Sequence, residues 1–403
     1  MCQDSAIEFR FDRHLKLSGD TKILSAIEHR VGSRRIQKAK STIIANILYA
    51  HAQHQHAVVF YSRDRNFYTD YPKRYRPDFY TYAVMMGAID SLVKDGFLEE
   101  QRTSPSAIAK HRSRIRPSNK LLGICADCPP AFVFDDRESI VLKDTKGKYV
   151  GYRDTQRIID MRRDVQEANE FLASAEICVG HPGVIHKANG FVQVDNLRID
   201  PRRKFYHRVF NGAWDRGGRW YGPFWQQLPS ELRANLLIDG ETVIESDFRA
   251  CQFRLLCARA KLALPFDDPS FDPYDIWGFD RSEIKLAFNI MLNASKPAHA
   301  RSAISQELSV VHSKASSQKA LSLMNALRGK YPALGPFWCS GSGLSLQYQD
   351  AQICSEVMRR LRRENIPVLS VHDSFIVPSS HDGKLADIME EEMQNACAKA
   401  AVT

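Results

Sequence analysis

Residues 366–377 read Ile366-Pro-Val-Leu-Ser-Val-His372-Asp373-Ser374-Phe-Ile-Val. Two apolar runs of strand length flank a polar His-Asp-Ser tip, the pattern of a hairpin whose turn exposes an aspartate. A second aspartate ends another such run, Val243-Ile244-Glu245-Ser246-Asp247-Phe248, which is followed by RACQFRLLCARA. That stretch reads as a buried strand and then a helix bearing Gln252 and Arg254. An aspartate placed there serves either as a metal ligand or as a helix N-cap.

Between these stretches lies Arg281-Ser-Glu-Ile-Lys285, then Asn289 and Asn293 ahead of Pro297. Arg281, Lys285, Asn289 and Asn293 recur every four residues, so one helix face carries two cations and two amides. Ile284, Phe288, Met291 and Leu292 form the opposite, apolar face. Such a cationic face suits a triphosphate, or stands as a solvated stripe. Earlier still comes Asp215-Arg216-Gly217-Gly218-Arg219-Trp220-Tyr221. Paired glycines there let a backbone turn approach a ligand closely, with the arginine reaching out from the strand that follows. Taken together, Asp247 and Asp373, from non-adjacent strands, are candidate ligands for two Mg²⁺ ions, with Mn²⁺ as a substitute. Arg281 and Lys285 would neutralise charge on the phosphates.

The whole chain fits this reading. Its 403 residues allow two to three domains, and 44% hydrophobic with 26% charged residues is globular composition, which excludes disordered and collagen-like classes. No apolar run reaches membrane-spanning length, and the first residues lack a secretory pattern. Nine cysteines, an odd and sparse set, point to reduced thiols in the cytoplasm. Cys125-Ala-Asp-Cys128 has ligand spacing but no second pair, so ordinary thiols are expected. Net charge is +9. The first 130 residues hold 21 Lys and Arg against 13 Asp and Glu, whereas the remaining 273 hold 35 against 34. The excess therefore sits in the N-terminal third and fits a polyanionic partner, most simply nucleic acid, or a solvated basic surface.

Residues 34–53 predict an amphipathic helix entered by Arg34 and Arg35, with Ile43, Ile44, Ile47 and Leu48 as its stripe. Residues 58–80 interleave tyrosine and phenylalanine with cations including Lys73 and Arg74, as a basic aromatic loop or short strands. A helix over 82–94, a Gly96 stop, a strand at 97–99 and a basic segment at 102–120 with Arg112 and Arg114 resemble the end of a winged helix-turn-helix. That resemblance implies contact between these cations and DNA phosphates. Residues 153–174 read as a polar helix.

The order and spacing of the C-terminal segments resemble the superfamily of family-A DNA polymerases and the phage- and mitochondrial-type single-subunit RNA polymerases. The likeness covers roughly residues 203–400. Asp247-Phe248 with Arg254 looks like motif A, Arg281-xxx-Lys285 the start of motif B, and Val371-His372-Asp373 motif C. Gln347 matches the glutamine opening the helix before motif C, and Asp215-xx-Gly218-Arg219-x-Tyr221 is similar to the DxxGRxY element that contacts the template–product duplex. Four positions depart from the family-A DNA polymerase pattern. Gln252 stands where DNA polymerases carry glutamate, Ser374 follows motif C as in RNA polymerases, and Asn293-Ala294 replaces a tyrosine–glycine pair.

The resemblance implies an α+β right-hand polymerase, with an antiparallel palm sheet and helical fingers at 203–403. A linker or thumb-like helical segment would occupy 126–202, and a basic winged-helix-like domain 1–125. It implies Asp247, Asp373 and Lys285 as catalytic residues. It implies Arg281, Asn289, Asn293, Gln252, Arg254 and His372 on the nucleoside triphosphate, and Arg219, Tyr221 and Gln347 on nucleic acid. The expected activity is template-directed nucleotidyl transfer on a DNA template, leaning towards RNA synthesis or priming. A family-A type DNA polymerase, a metal-dependent nuclease, and a DNA-binding replication initiator with a degenerate polymerase domain are the alternatives.

Overall fold

In the computed structural model the described residues are 7–11, 13–18, 22–28, 33–102, 112–134, 137–187, 189–308 and 314–402. The chain mixes helix and sheet, 50% and 18% respectively, so neither an all-helical nor an all-strand architecture applies. It divides into two units that interleave along the sequence. The first comprises Met1–Ser139, Tyr149–Arg153 and Val179–Arg203, and the second Ile140–Lys148, Asp154–Cys178 and Lys204–Thr403. Residues 126–202, read from sequence as a connecting segment, are thus shared between them.

In the first unit the Arg34–Gln53 helix starts at Ser33, whose hydroxyl accepts from the Ile36 amide. Ile43, Ile44, Ile47 and Leu48 are all buried, as the apolar stripe requires. The Tyr82–Lys94 helix packs against it and stops at Gly96, whose φ of 75° is open to glycine at little cost. A four-stranded sheet follows the order Glu8–Arg10, Val58–Tyr61, Ser113–Pro117, Leu98–Gln101, the first pair parallel and the others antiparallel. Residues 58–80, read as a basic aromatic loop or short strands, are only in part strand. They form a strand, a short Arg65–Thr69 helix and a Lys73–Tyr75 turn, and they bury Tyr68, Tyr75, Phe79 and Tyr80. The rings pack on one another, with Tyr68 and Tyr80 centroids 5.2 Å apart, so most of this aromatic content is core.

The second unit carries a five-stranded sheet in the order Leu369–Val371, Ser374–Pro378, Glu241–Asp247, Leu236–Ile238, Ile177–Val179. The strand that ends at Asp247 and the strand that starts just after Asp373, expected to be non-adjacent, are direct antiparallel partners with Asp247 opposite Ser374. The two aspartates, expected from the sequence to meet, are brought to adjoining backbone where the Leu236–Ile238/Glu241–Asp247 hairpin joins the Leu369–Val371/Ser374–Pro378 hairpin in one sheet. A second sheet joins Ala213–Tyr221, His207–Asn211 and Ile140–Lys143. The long Gly343–Arg363 helix lies on it, with Trp220 Nε1 donating to Ser355 Oγ at 3.0 Å. The Arg281–Asn293 helix buries Ile284, Phe288, Met291 and Leu292, and Phe288 stacks on Phe253 at 4.7 Å. No helix among the described residues is long and apolar enough to cross a membrane.

Candidate active site

The hairpin between Leu369–Val371 and Ser374–Pro378 turns on two residues, His372 and Asp373. His372 adopts φ 62°, a left-handed conformation that histidine tolerates better than most side chains. The turn sets Asp373 one residue before Ser374, the partner of Asp247, and the Phe248 amide donates to the Asp373 carbonyl at 3.4 Å. Downstream of Asp247 the chain enters the Cys251–Arg259 helix through Ala250, also left-handed at φ 52°. Asp247 is therefore a strand-end residue and does not cap that helix.

The carboxyl of Asp247 remains reachable by water. Surrounding protein and the neighbouring charge of Asp373 nonetheless push its pKa up to about 6, while Lys285 pulls the other way. Among the described residues neither Asp247 nor Asp373 takes part in an ion pair. The acids beside them do. Glu245 is held by Arg233 through two bonds of 2.8 and 2.9 Å and accepts from Ser374 Oγ at 2.7 Å. Asp350, buried in the Gly343–Arg363 helix, accepts from Arg219 Nε at 3.1 Å and Nη2 at 2.5 Å, and from Gln252 Nε2 at 3.0 Å. Burial works against the Arg219 charge, yet the Asp350 bond keeps the guanidinium above its ordinary pKa. The Cys251 thiol is pushed far up by burial, and then by the charges of Asp350, Asp373 and Asp247, which marks these acids as one neighbourhood.

The remaining residues predicted for the site fall as follows. Tyr221 meets the His372 ring edge-on at 5.4 Å, and burial followed by the Arg219 charge lowers the His372 pKa. Lys285 is exposed on the Arg281–Asn293 helix, 6.0 Å from the Tyr274 ring centre. Arg281 binds the Asp272 carboxylate, and Arg254 makes two bonds to Glu390 at 3.3 and 3.1 Å, so both cations are already matched. Asn293 donates to the Asn289 carbonyl at 2.9 Å, and Gln347 is half-buried on the helix that carries Asp350.

In the first unit Arg34, Arg35, Lys73 and Arg112 are exposed. Arg35 donates to the Asp78 carbonyl, and Arg112 lies over the rings of Phe60 and Phe67 at 5.0 and 5.4 Å. Arg114 pairs with Glu8 at 2.5 Å and Arg74 with Glu138 at 3.0 Å. Residues 103–111 of the basic segment lie outside the described residues. Cys125 and Cys128 are free thiols, with burial lifting Cys125 to about 11.

Sequence reasoning missed Asp350, Arg233 and Arg208. Asp350 lies three residues after Gln347, an acid on the buried side of a helix, which was a usable clue. Arg208 is 2% exposed and bonds the Gly218 carbonyl at 2.8 Å and Gln352 at 2.9 Å. It thereby braces the bulged strand ahead of Arg219. No cluster of three or more His, Cys, Asp or Glu side chains suited to a metal occurs among the described residues. The donor set at this site is the two carboxylates Asp247 and Asp373. Among the described residues these two hard oxygen donors have no arginine partner, and they could hold a divalent cation.

No protein-family model and no curated protein matches this chain. Among solved structures it is similar to the POL domain of Pol1 from M. smegmatis in complex with DNA primer-template and dNTP, at 12% identity and a TM-score of 0.29. The match covers 60% of this chain, which spans about half (49%) of that structure.

Proposed function

We propose that residues 203–403 form the palm and fingers of a template-directed nucleotidyltransferase, leaning towards RNA synthesis or priming. In this reading residues 1–125 are a winged-helix-like nucleic-acid-binding domain, and 126–202 supply a linker or thumb-like segment. One observation carries it. Asp247 and Asp373 meet on adjoining backbone, and among the described residues neither has an ion-pair partner, whereas neighbouring Glu245 and Asp350 each have an arginine. Selective matching of that kind leaves two negative charges for a cationic ligand, with the exposed Lys285 as the cation that acts on Asp247.

Asp247 and Asp373 would hold Mg²⁺ or Mn²⁺, which when bound supplies Lewis acidity at the attacking hydroxyl and neutralises the departing pyrophosphate. Lys285 would bind the triphosphate as a point charge, a role better suited to it than to Arg281, which Asp272 already holds. Tyr221 and His372 present ring faces and edges beside Asp373, apt for a sugar or base. The test is extension of a primed and an unprimed DNA template with NTPs and dNTPs supplied separately. Extension by the parent protein and its loss in Asp247→Asn and Asp373→Asn supports the reading. No extension with either nucleotide set overturns it.

A further inference from the structure

We propose that Asp350 is a positioning residue that keeps Arg219 from neutralising Asp373. This rests on the reading of Asp247 and Asp373 as a cation site.

The strand pairing is regular from His207 opposite Tyr221 to Val209 opposite Arg219, so Arg219 and Tyr221 project from the same face. Tyr221 touches the His372 ring, whose next neighbour is Asp373. Arg219 is therefore a guanidinium stationed beside the acidic pair, and its charge and that of Asp373 act on each other. A guanidinium that meets a carboxylate makes strong, often bidentate, charge-assisted hydrogen bonds with it. Arg219 turns Nε and Nη2 onto Asp350, a side chain 2% exposed that lies 131 residues away in sequence. Gln252 occupies the same Asp350 oxygen as Nη2, which fixes the carboxylate from a second element. The geometry is that of a clamp. Asp350 satisfies the arginine, and Asp373 keeps its charge.

Removing the clamp charge has a definite consequence. In Asp350→Asn the guanidinium loses its counterion, and Asp373 is the carboxylate whose charge already acts on it. The pair then loses a negative charge and with it divalent-cation affinity. Deleting the arginine as well removes the competitor.

Mn²⁺ binding to the full chain, followed by electron paramagnetic resonance at neutral pH, tests this with thermal melts as the folding control. Asp350→Asn is expected to bind Mn²⁺ about 10–100-fold more weakly than the parent. Asp350→Glu, which keeps the charge, and the double variant Arg219→Gln/Asp350→Asn are each expected to return to within about threefold of the parent. A merely structural role for Asp350 predicts that the double variant stays as weak as Asp350→Asn or weaker, and that result overturns the proposal. So does parent-like binding by Asp350→Asn. Parent binding that Asp247→Asn leaves unchanged overturns the cation site itself, and the clamp with it.

Discussion

Asp247 faces Ser374 across the central strand pair, and the Ser374 hydroxyl donates not to Asp247 but to Glu245, two residues back on the same strand face. The hydroxyl of the residue opposite Asp247 is thus committed to an acid that Arg233 already holds. The Asp247 carboxylate is left without that bond, and the effect is measurable.

Asp247 should make the fold less stable as pH rises. Its pKa is about 6 in the folded chain against 3.8 ordinarily, so the folded state holds the proton more tightly. That contribution is fully present below pH 3.8 and lost as pH rises through about 6. Without divalent ions, Asp247→Asn should melt higher than the parent at about pH 7.5 and show little difference at about pH 3.5. Equal melting temperatures at the higher pH would remove the burial cost and the repulsion by Asp373 from the account. In the extension assay the same variant should lose about a hundredfold or more in rate.

Gly218 should tolerate no side chain. Its φ is 77°, and a β-carbon there would lie 2.7 Å from the Phe210 ring. Gly218→Ala is expected to cost about 1–3 kcal/mol in chemical denaturation. A loss below ~0.5 kcal/mol would show that the bulge relaxes freely.

Gly343 opens the helix that carries Asp350, and a β-carbon on it would collide with the Asn293 side chain, which is anchored to the Asn289 carbonyl. Gly343→Ala should destabilise the chain by about 1 kcal/mol, and Asn293→Ala in the same molecule should recover most of it. Additive losses in the double variant would mean that the two residues do not press on each other.

Trp277 is 96% exposed, whereas Trp220, Trp225 and Trp338 are buried. Trp277→Phe should shift intrinsic emission to shorter wavelength and leave stability within about 0.5 kcal/mol. An unchanged spectrum would place that indole against protein.

Arg34, Arg35 and Lys73 are exposed cations of the basic first unit. Replacing them with alanine should flatten the dependence of duplex-DNA affinity on salt, by about 0.9 in log–log slope for each phosphate that is no longer neutralised. An unchanged slope would remove all three from the proposed nucleic-acid surface.

Much of this arrangement was legible in the order of residues. The hairpin at 366–377, the strand ending at Asp247 and the Arg281–Asn293 helix follow from alternation and four-residue spacing, which are local properties of the chain. So does the Gly96 stop. Within 58–80 the short strand was legible but the burial of Tyr68, Tyr75 and Tyr80 was not, because composition does not say which rings face inward.

Backbone periodicity and turn chemistry act over a few residues, so local spacing alone revealed the strand that ends at Asp247, the hairpin that carries Asp373 and the helix that carries Lys285. Which charges cancel was settled by packing. Arg219 meets Asp350 across 131 residues, Arg254 meets Glu390 across 136, and among the described residues Asp247 and Asp373 stay unmatched. Ion pairing depends on distances of a few ångströms in space, and those are set by packing.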